Sequence, residues 1–135
     1  MRPALAALLA AGAATLGGCG TASPDLFEVR RSGPDRPANV TMVVSDGGSV
    51  TCDGEQHGLD AERLLRAREL SRTLAEPAEL GIELPPGPGA DLSYRVRLET
   101  GTVTFSDTSK DPPQAFYALA AFTKDVTERV CGIVR

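Results

Sequence analysis

One histidine and three cysteines are the residues of this chain with the most versatile side-chain chemistry. His57 follows Cys52 with the spacing C-x4-H, but a zinc site needs four protein ligands, or three and a water molecule. We therefore expect His57 to be a solvent-exposed loop histidine. Asp46-Gly47-Gly48 and Asp53-Gly54 lack the alternating oxygen ligands and final glutamate of a calcium-binding loop, and turn formation explains them. The sequence predicts no metal site and no cofactor.

The chain also lacks the common catalytic motifs. It contains no G-x-S-x-G, no Walker A sequence and no G-x-G-x-x-G after a strand. Its carboxylates are scattered over predicted loops and helix faces, whereas acid–base catalysis needs a pair whose environments separate their pKa values. We therefore expect a protein that is not an enzyme.

Cys19 has the sequence context of a lipidation site. Leu16-Gly17-Gly18-Cys19 resembles a bacterial lipobox, and it follows Arg2 and an apolar run over 3–16, as in a signal peptide. A transmembrane anchor and an ordinary signal peptide are the alternatives, but a bilayer span needs roughly 20 apolar residues. We expect cleavage after 1–18 and lipidation of Cys19, with the protein held on the extracytoplasmic face of the cell membrane.

The other two cysteines, Cys52 and Cys131, form an even pair in a compartment that favours disulfides. Two buried free thiols, or one reactive thiol, are the alternatives to a disulfide between them. Closing a loop of about 80 residues would stabilise the fold by roughly 4–5 kcal/mol in the chain-entropy model. The sequence therefore predicts a Cys52–Cys131 disulfide.

Length and charge limit the organisation and the partners. A short lipidated tether over 19–25 precedes a single domain over 26–135, and the five residues from Gly20 to Pro24 reach at most ~17 Å. The net charge is −4, and it becomes −5 when Arg2 leaves with the signal peptide. An acidic domain lacks the basic footprint of nucleic-acid binding. It would contact the membrane through the lipid on Cys19, not through charge.

Strand patterns occupy three regions. Apolar and polar residues alternate over 26–31, over 40–52 around the turn Asp46-Gly47-Gly48, and over 92–107. A turn at Thr100-Gly101 would pair the residues of the last hairpin and place its arginines on the opposite face. The predicted pairs are Leu98 with Val103 and Val96 with Phe105, and the arginines are Arg95 and Arg97.

Two helices are predicted between and after these strands. Asp60 can cap a helix that runs to about Ala75 and ends at Glu76-Pro77. Asp111 can cap a second helix, with Pro112 at its first position, that runs to Cys131 and is ended by Gly132. The order β, β-β, α, β-β, α predicts an α+β fold. Its antiparallel sheet has four or five strands, both helices pack on one face, and one disulfide joins helix to sheet.

Three segments together resemble emfourin, a family of small bacterial inhibitors of thermolysin-type zinc metalloproteases. They are Phe27–Gly33, the stretch from Gly89 to Asp107 and the stretch from Pro112 to Leu119. The resemblance covers most of residues 27–126 and implies a similar fold and inhibition of a secreted metalloprotease. The lipobox and the Cys52/Cys131 pair are not part of the family pattern, and no inhibitory contact residue can be matched one by one.

The sequence therefore predicts a non-catalytic, lipid-anchored module that binds a protein. Envelope assembly and small-ligand binding are the alternatives. A deep apolar cavity would favour a ligand binder, and an exposed sheet face or a projecting loop would favour a protein binder. The arginines at 30–31, 95 and 97 are either a partner surface or ordinary solubility charge. The candidate partner-binding residues are Pro86, Gly87 and Pro88 in the proline-stiffened 85–89 loop, and Arg95 and Arg97.

Overall fold

A computed structural model describes residues 24–135, so the predicted signal peptide and Cys19 lie outside the described residues. The strands are β1 Asp25–Ser32, β2 Val40–Ser45, β3 Ser49–Cys52, β4 Glu55–Gly58, β5 Ser93–Leu98 and β6 Gly101–Ser106. The helices are α1 Ala61–Glu79 and α2 Gln114–Arg129, and a short 3-10 turn covers Arg36–Ala38. β1 begins at Asp25, one residue inside the predicted tether. The part of the chain described here holds no helix of the length and apolarity that a membrane span requires.

The strands form one antiparallel sheet in the order β4-β3-β2-β1-β5-β6. The sheet has six strands, so the prediction of four or five was too low. The additional strand is β4, which pairs with β3 at the outer edge of the sheet. Its sequence, Glu55-Gln56-His57-Gly58, has no apolar alternation because an edge strand with little buried surface does not require it.

Alternate residues of the strands point to one face, and both helices pack on that face, as the sequence predicts. Phe27 and Val29 of β1 are buried there beside Val96 of β5, and the ring of Phe27 meets the ring of Phe122 of α2 edge-on at 6.0 Å. We call this the covered face of the sheet. Its aliphatic and aromatic contacts supply the hydrophobic stabilisation of the domain.

The register of the β5–β6 hairpin differs from the predicted one by two residues. Leu98 lies opposite Gly101 and Val96 lies opposite Val103, so the turn is formed by Glu99-Thr100. A shift of two residues leaves every side chain on its predicted face, so the hydrophobic pattern cannot detect it. Gly101 lies against α1, where a Cβ would fall 2.1 Å from the Ala78 carbonyl oxygen. The glycine therefore permits close helix packing and is not a turn residue.

The first helix begins at its predicted cap but continues past its predicted end. Asp60 accepts a hydrogen bond from the Arg63 backbone N–H at 2.9 Å. Pro77 lies inside the last turn instead of ending the helix. The helix ends where Gly81 takes φ +62° and donates its N–H to the Ala78 carbonyl, while Ile82 donates to the Pro77 carbonyl. These capping bonds hold the last turn although Pro77 contributes no N–H.

The second helix begins later than predicted. Asp111 has φ +48° and is not the cap, because the backbone makes a left-handed turn there before the two prolines. The helix starts at Gln114 after Pro113, which provides no side-chain cap. At the other end Gly132 has φ +70°, and the N–H of the next residue, Ile133, donates to the Thr127 carbonyl at 2.7 Å and brings the chain back onto the helix. The helix itself ends at Arg129.

The Cys52–Cys131 disulfide is confirmed. The two sulfurs are bonded, and the Cα atoms lie 6.3 Å apart across 79 positions of sequence. Cys52 is the last residue of β3, and Cys131 follows α2 by two residues. The bond therefore joins the end of the last helix to the covered face of the sheet.

Candidate partner-binding surface

The face of the sheet opposite the helices is polar and uncovered by any described element. We call it the open face. Its side chains come from the alternate strand positions that do not enter the core, so the pleat that buries Val29 and Val96 also exposes their neighbours. Across β2, β1, β5 and β6 the open face carries Glu28, Arg30, Thr41, Val43, Ser93, Arg95, Arg97, Thr102 and Thr104.

Three arginines and one glutamate form the centre of the open face, which we call the arginine cluster. Glu28 lies opposite Arg97 and Arg30 lies opposite Arg95 in the register of β1 with β5. Glu28 accepts from both Arg30 Nε at 2.8 Å and Arg97 Nη2 at 3.1 Å. Arg95 has no ion-pair partner among residues 24–135. The cluster therefore carries two uncompensated positive charges on a protein of net charge −4.

A groove of about 400 Å³ lies beside the arginine cluster, at the end of the sheet where β1 and β6 finish. Its floor includes Arg30, Arg95 and Thr104, and its wall is Leu84 and Pro86. The wall stands on the outer edge of β6. There the Leu84 N–H donates to the Thr104 carbonyl at 2.9 Å, and the Thr104 N–H donates to the Ile82 carbonyl at 3.0 Å.

The proline-rich loop beyond this wall is fastened to the turn after β6. The Ser109 hydroxyl donates to the Pro85 carbonyl and the Thr108 hydroxyl donates to the Gly87 carbonyl, both at 3.0 Å. A Cβ on Gly87 would lie 2.1 Å from the Thr108 carbonyl oxygen. Only glycine allows this approach, so the loop is ordered by both its prolines and its contacts.

The structure brings together two of the five predicted partner-binding residues. Pro86 and Arg95 line the same groove. Arg97 lies on the other side of the arginine cluster, in a second depression that it shares with Glu28 and Leu26. Gly87 is half-buried against Thr108, and Pro88 is exposed outside both depressions. Gly87 and Pro88 therefore do not line the groove.

Sequence reasoning missed two features of this region. Leu84 is held in the wall by its N–H bond to the Thr104 carbonyl, 20 positions away, and no local pattern indicates this contact. The prediction that Arg31, like Arg30, lies on the surface is wrong, because Arg31 is only 4% exposed. The alternation that places Phe27 and Val29 on the covered face also places position 31 there, and this signal could have found it.

The residues considered for metal binding have other partners. Cys52 is in the disulfide and offers no thiolate, while His57 lies in β4, half-buried, and not in an exposed loop as predicted. The Asp46 carboxylate accepts from Arg68 Nε at 2.6 Å, and the Asp53 carboxylate accepts from the Thr41 N–H at 2.8 Å. Within 24–135, no three His, Cys, Asp or Glu side chains are grouped so that they could hold a metal ion.

Ion pairs between the helices lie away from the open face. Arg63 of α1 donates from Nε to Asp125 of α2 at 2.8 Å and also binds Asp60. Hydrogen bonding to Arg63 lowers the pKa of the Asp125 carboxyl, and bonds from the Arg63 backbone and side chain lower the pKa of Asp60. These pairs join the start of α1 to α2.

Comparison of the chain with models of protein families, with curated proteins and with solved structures finds no match. The resemblance to emfourin therefore stays a prediction from three sequence segments. The groove, the arginine cluster and the fastened loop are the features of the described residues from which a function can be inferred.

Proposed function

We propose that this chain is a lipid-anchored extracytoplasmic protein that binds a partner protein through the open face, without catalysis. The observation that carries the proposal is the arginine cluster beside the groove. A sheet whose second face is uncovered offers a broad surface, and Arg95 gives that surface a charge that no described residue neutralises. Arginine is the residue best suited to bind carboxylates across an interface, so the partner would present an acidic patch.

The order of the groove supports binding of a folded partner. Association costs less when the binding surface is already ordered, since few side chains and loops lose freedom. Here the wall is hydrogen-bonded to β6, and the loop beyond it is held by Thr108 and Ser109. The partner would therefore meet a preformed shape.

The direction of β1 supports access to a partner outside the membrane. Pro24, five residues after Cys19, precedes the start of β1, and its carbonyl accepts from the Asp46 N–H at 2.9 Å. The groove lies at the opposite end of β1, beside Ser32. The seven steps from Asp25 to Ser32 correspond to roughly 23 Å. A lipid on Cys19 would hold the Pro24 end at the membrane and leave the groove directed away from it.

Inhibition of a thermolysin-type metalloprotease is the sharpest form of the proposal, and it rests on the emfourin resemblance. The test is titration of residues 20–135 against a panel of such proteases. We expect stoichiometric loss of activity for at least one. Arg95→Glu with Arg97→Glu should weaken inhibition about tenfold or more, because both side chains point away from the core.

The matched control is Arg66→Glu with Arg72→Glu, which makes the same charge change on the exposed side of α1. It should inhibit as the wild type does. A different result would favour the function of envelope assembly. In that case no protease is inhibited, and an envelope protein is captured by the wild type but not by the Arg95/Arg97 variant. A double variant that is folded and still binds every partner of the wild type would exclude the open face as the binding surface.

The lipid anchor has its own test. Cys19→Ala should abolish labelling of the full chain by a fatty-acid analogue and leave the precursor uncleaved. Equal labelling of both proteins would refute lipidation at this position without affecting the proposal for the open face.

A further inference from the structure

A second cavity lies on the other side of the sheet from the groove. It has a volume of about 380 Å³ and opens where the ends of β1 and β5 meet α2. Part of its lining is apolar and comes from Leu92, Ala120 and Ala121. We call it the Arg31 cavity, because the buried guanidinium of Arg31 is at its inner side.

Arg31 is a buried cation with neutral partners. Its Nε donates to the Ala38 carbonyl at 2.9 Å and its Nη2 donates to the Pro37 carbonyl at 3.0 Å, while Thr127 Oγ1 lies 3.5 Å from Nη1. No carboxylate lies within 4 Å of it among residues 24–135. Burial lowers the pKa of this guanidinium.

Tyr94 lies directly opposite Arg31 in the register of β1 with β5 and also lines the cavity. The residue is only 5% exposed, and its ring is stacked on Phe105 at 4.8 Å. Its hydroxyl makes no hydrogen bond with any residue of 24–135, although buried tyrosine hydroxyls usually have a partner. No fully enclosed side-chain oxygen or nitrogen there lacks a partner, so the hydroxyl has some accessible surface.

The charges around the cavity are unequal. Lys124 is exposed at the rim and has no ion-pair partner in the described part of the chain. Arg135 also lines the cavity, but it is held by Asp35 at 3.0 Å and Asp91 at 3.1 Å. Glu128 is the one acidic residue of the lining. Arg31 and Lys124 thus face a single carboxylate, which contacts neither of them.

We propose that the Arg31 cavity binds the carboxylate of a small amphipathic acid. The carboxylate lies between Arg31 and Lys124 and accepts a hydrogen bond from the Tyr94 hydroxyl. The apolar part of the ligand packs against Leu92 and the two alanines of α2. A carboxylate matches the cavity because it accepts from the unused hydroxyl and compensates the buried guanidinium. The site lies on the covered side of the sheet and contains neither Arg95 nor Arg97; Tyr94 is the one residue that lines both this cavity and the groove.

The test is an NMR titration of residues 20–135, which contain every described element, at constant ionic strength. Isovalerate represents a free acid and N-acetyl-leucine represents the end of a peptide. Isovaleramide and N-acetyl-leucinamide are their neutral counterparts. We expect saturable shifts of the Ala120, Ala121 and Lys124 amides with at least one acid. The acid that binds more tightly shows whether the carboxylate belongs to a free acid or to the end of a peptide. Equal binding of the acids and amides would overturn the proposal.

Three variants separate binding from folding. Tyr94→Phe keeps the stacked ring and loses no hydrogen bond within residues 24–135, so it should fold as the wild type and bind about tenfold more weakly. Lys124→Ala should weaken binding severalfold, whereas Lys110→Ala, an exposed lysine outside the cavity, should not. Glu128→Gln should tighten binding, since it removes the one negative charge of the lining. Wild-type affinity in both Tyr94→Phe and Glu128→Gln would overturn the proposal.

Discussion

The covered and open faces of the sheet use the same strands in different ways. On the covered face Val29 pairs with Val96, and the helices exclude water from both. One residue further along, Arg30 pairs with Arg95 on the open face, where two like charges face each other directly. Like charges in this position cost stability, by up to about 1 kcal/mol. A fold that keeps such a pair at its centre has stability supplied elsewhere, and the charge is available for a partner.

The largest expected effect comes from the disulfide, which ties α2 to the covered face. Cys52→Ala with Cys131→Ala should lower the free energy of unfolding by about 2–4 kcal/mol and Tm by about 10 °C or more, because the bond closes a long loop. Thermal unfolding followed by circular dichroism measures this. Wild-type protein in strong reductant is the control and should match the double variant. An unchanged Tm would show that the packing of α2 alone holds the two elements together.

Adjacent arginines give the sharpest contrast between the faces. Arg31→Met should destabilise the fold by about 1–3 kcal/mol, since the Pro37 and Ala38 carbonyls lose their donors. Arg30→Met, at a side chain 63% exposed, should change stability by less than about 0.5 kcal/mol. Urea unfolding of the two variants compares them directly. Equal losses would contradict the assignment of these two side chains to different faces.

The smallest effect concerns the ion pair between the helices. Hydrogen bonding to Arg63 lowers the pKa of the Asp125 carboxyl in the folded state. The ion pair therefore stabilises the fold at pH values above 3.8, the ordinary pKa of this group, and the stabilisation is lost as the pH falls through the lowered pKa. Asp125→Asn should therefore destabilise by less than about 1 kcal/mol at pH 7. The unfolding curves of variant and wild type should converge in acid. A difference that grows as the pH falls would have the wrong sign for this pair.

Much of the fold follows from local pattern, and the exceptions have physical causes. Alternation predicts β1, β2, β3, β5 and β6 with their faces, because one buried face imposes a period of two on each strand. β4 is an edge strand with little to bury, so its polar sequence carries no such pattern. The start of α2 was misplaced because Asp111 and Pro112 fit a helix cap locally, and the left-handed turn at Asp111 depends on the surrounding structure.

The candidate site was less predictable than the fold. Alternation identifies Arg95 and Arg97 as open-face residues. It does not indicate that Glu28 pairs with Arg97 and that Arg95 has no ion-pair partner among the described residues. The groove needs Leu84 beside Thr104, a contact between distant positions. The Arg31 cavity forms only where β1, β5 and α2 come together in the folded protein. Each of these depends on tertiary packing, which a single sequence does not encode in any local signal.

The two outer edges of the sheet have a consequence for crowding. Where proteins are concentrated on a surface, exposed strand edges can add to one another and build chains of molecules. Here one edge is the four-residue β4, which carries Glu55 and Gln56, and the other is covered by the segment that bonds to Thr104. The wall of the groove therefore also blocks the more apolar edge of the sheet. Pairing of strand edges between copies of this domain is therefore disfavoured, by polarity at β4 and by coverage at β6.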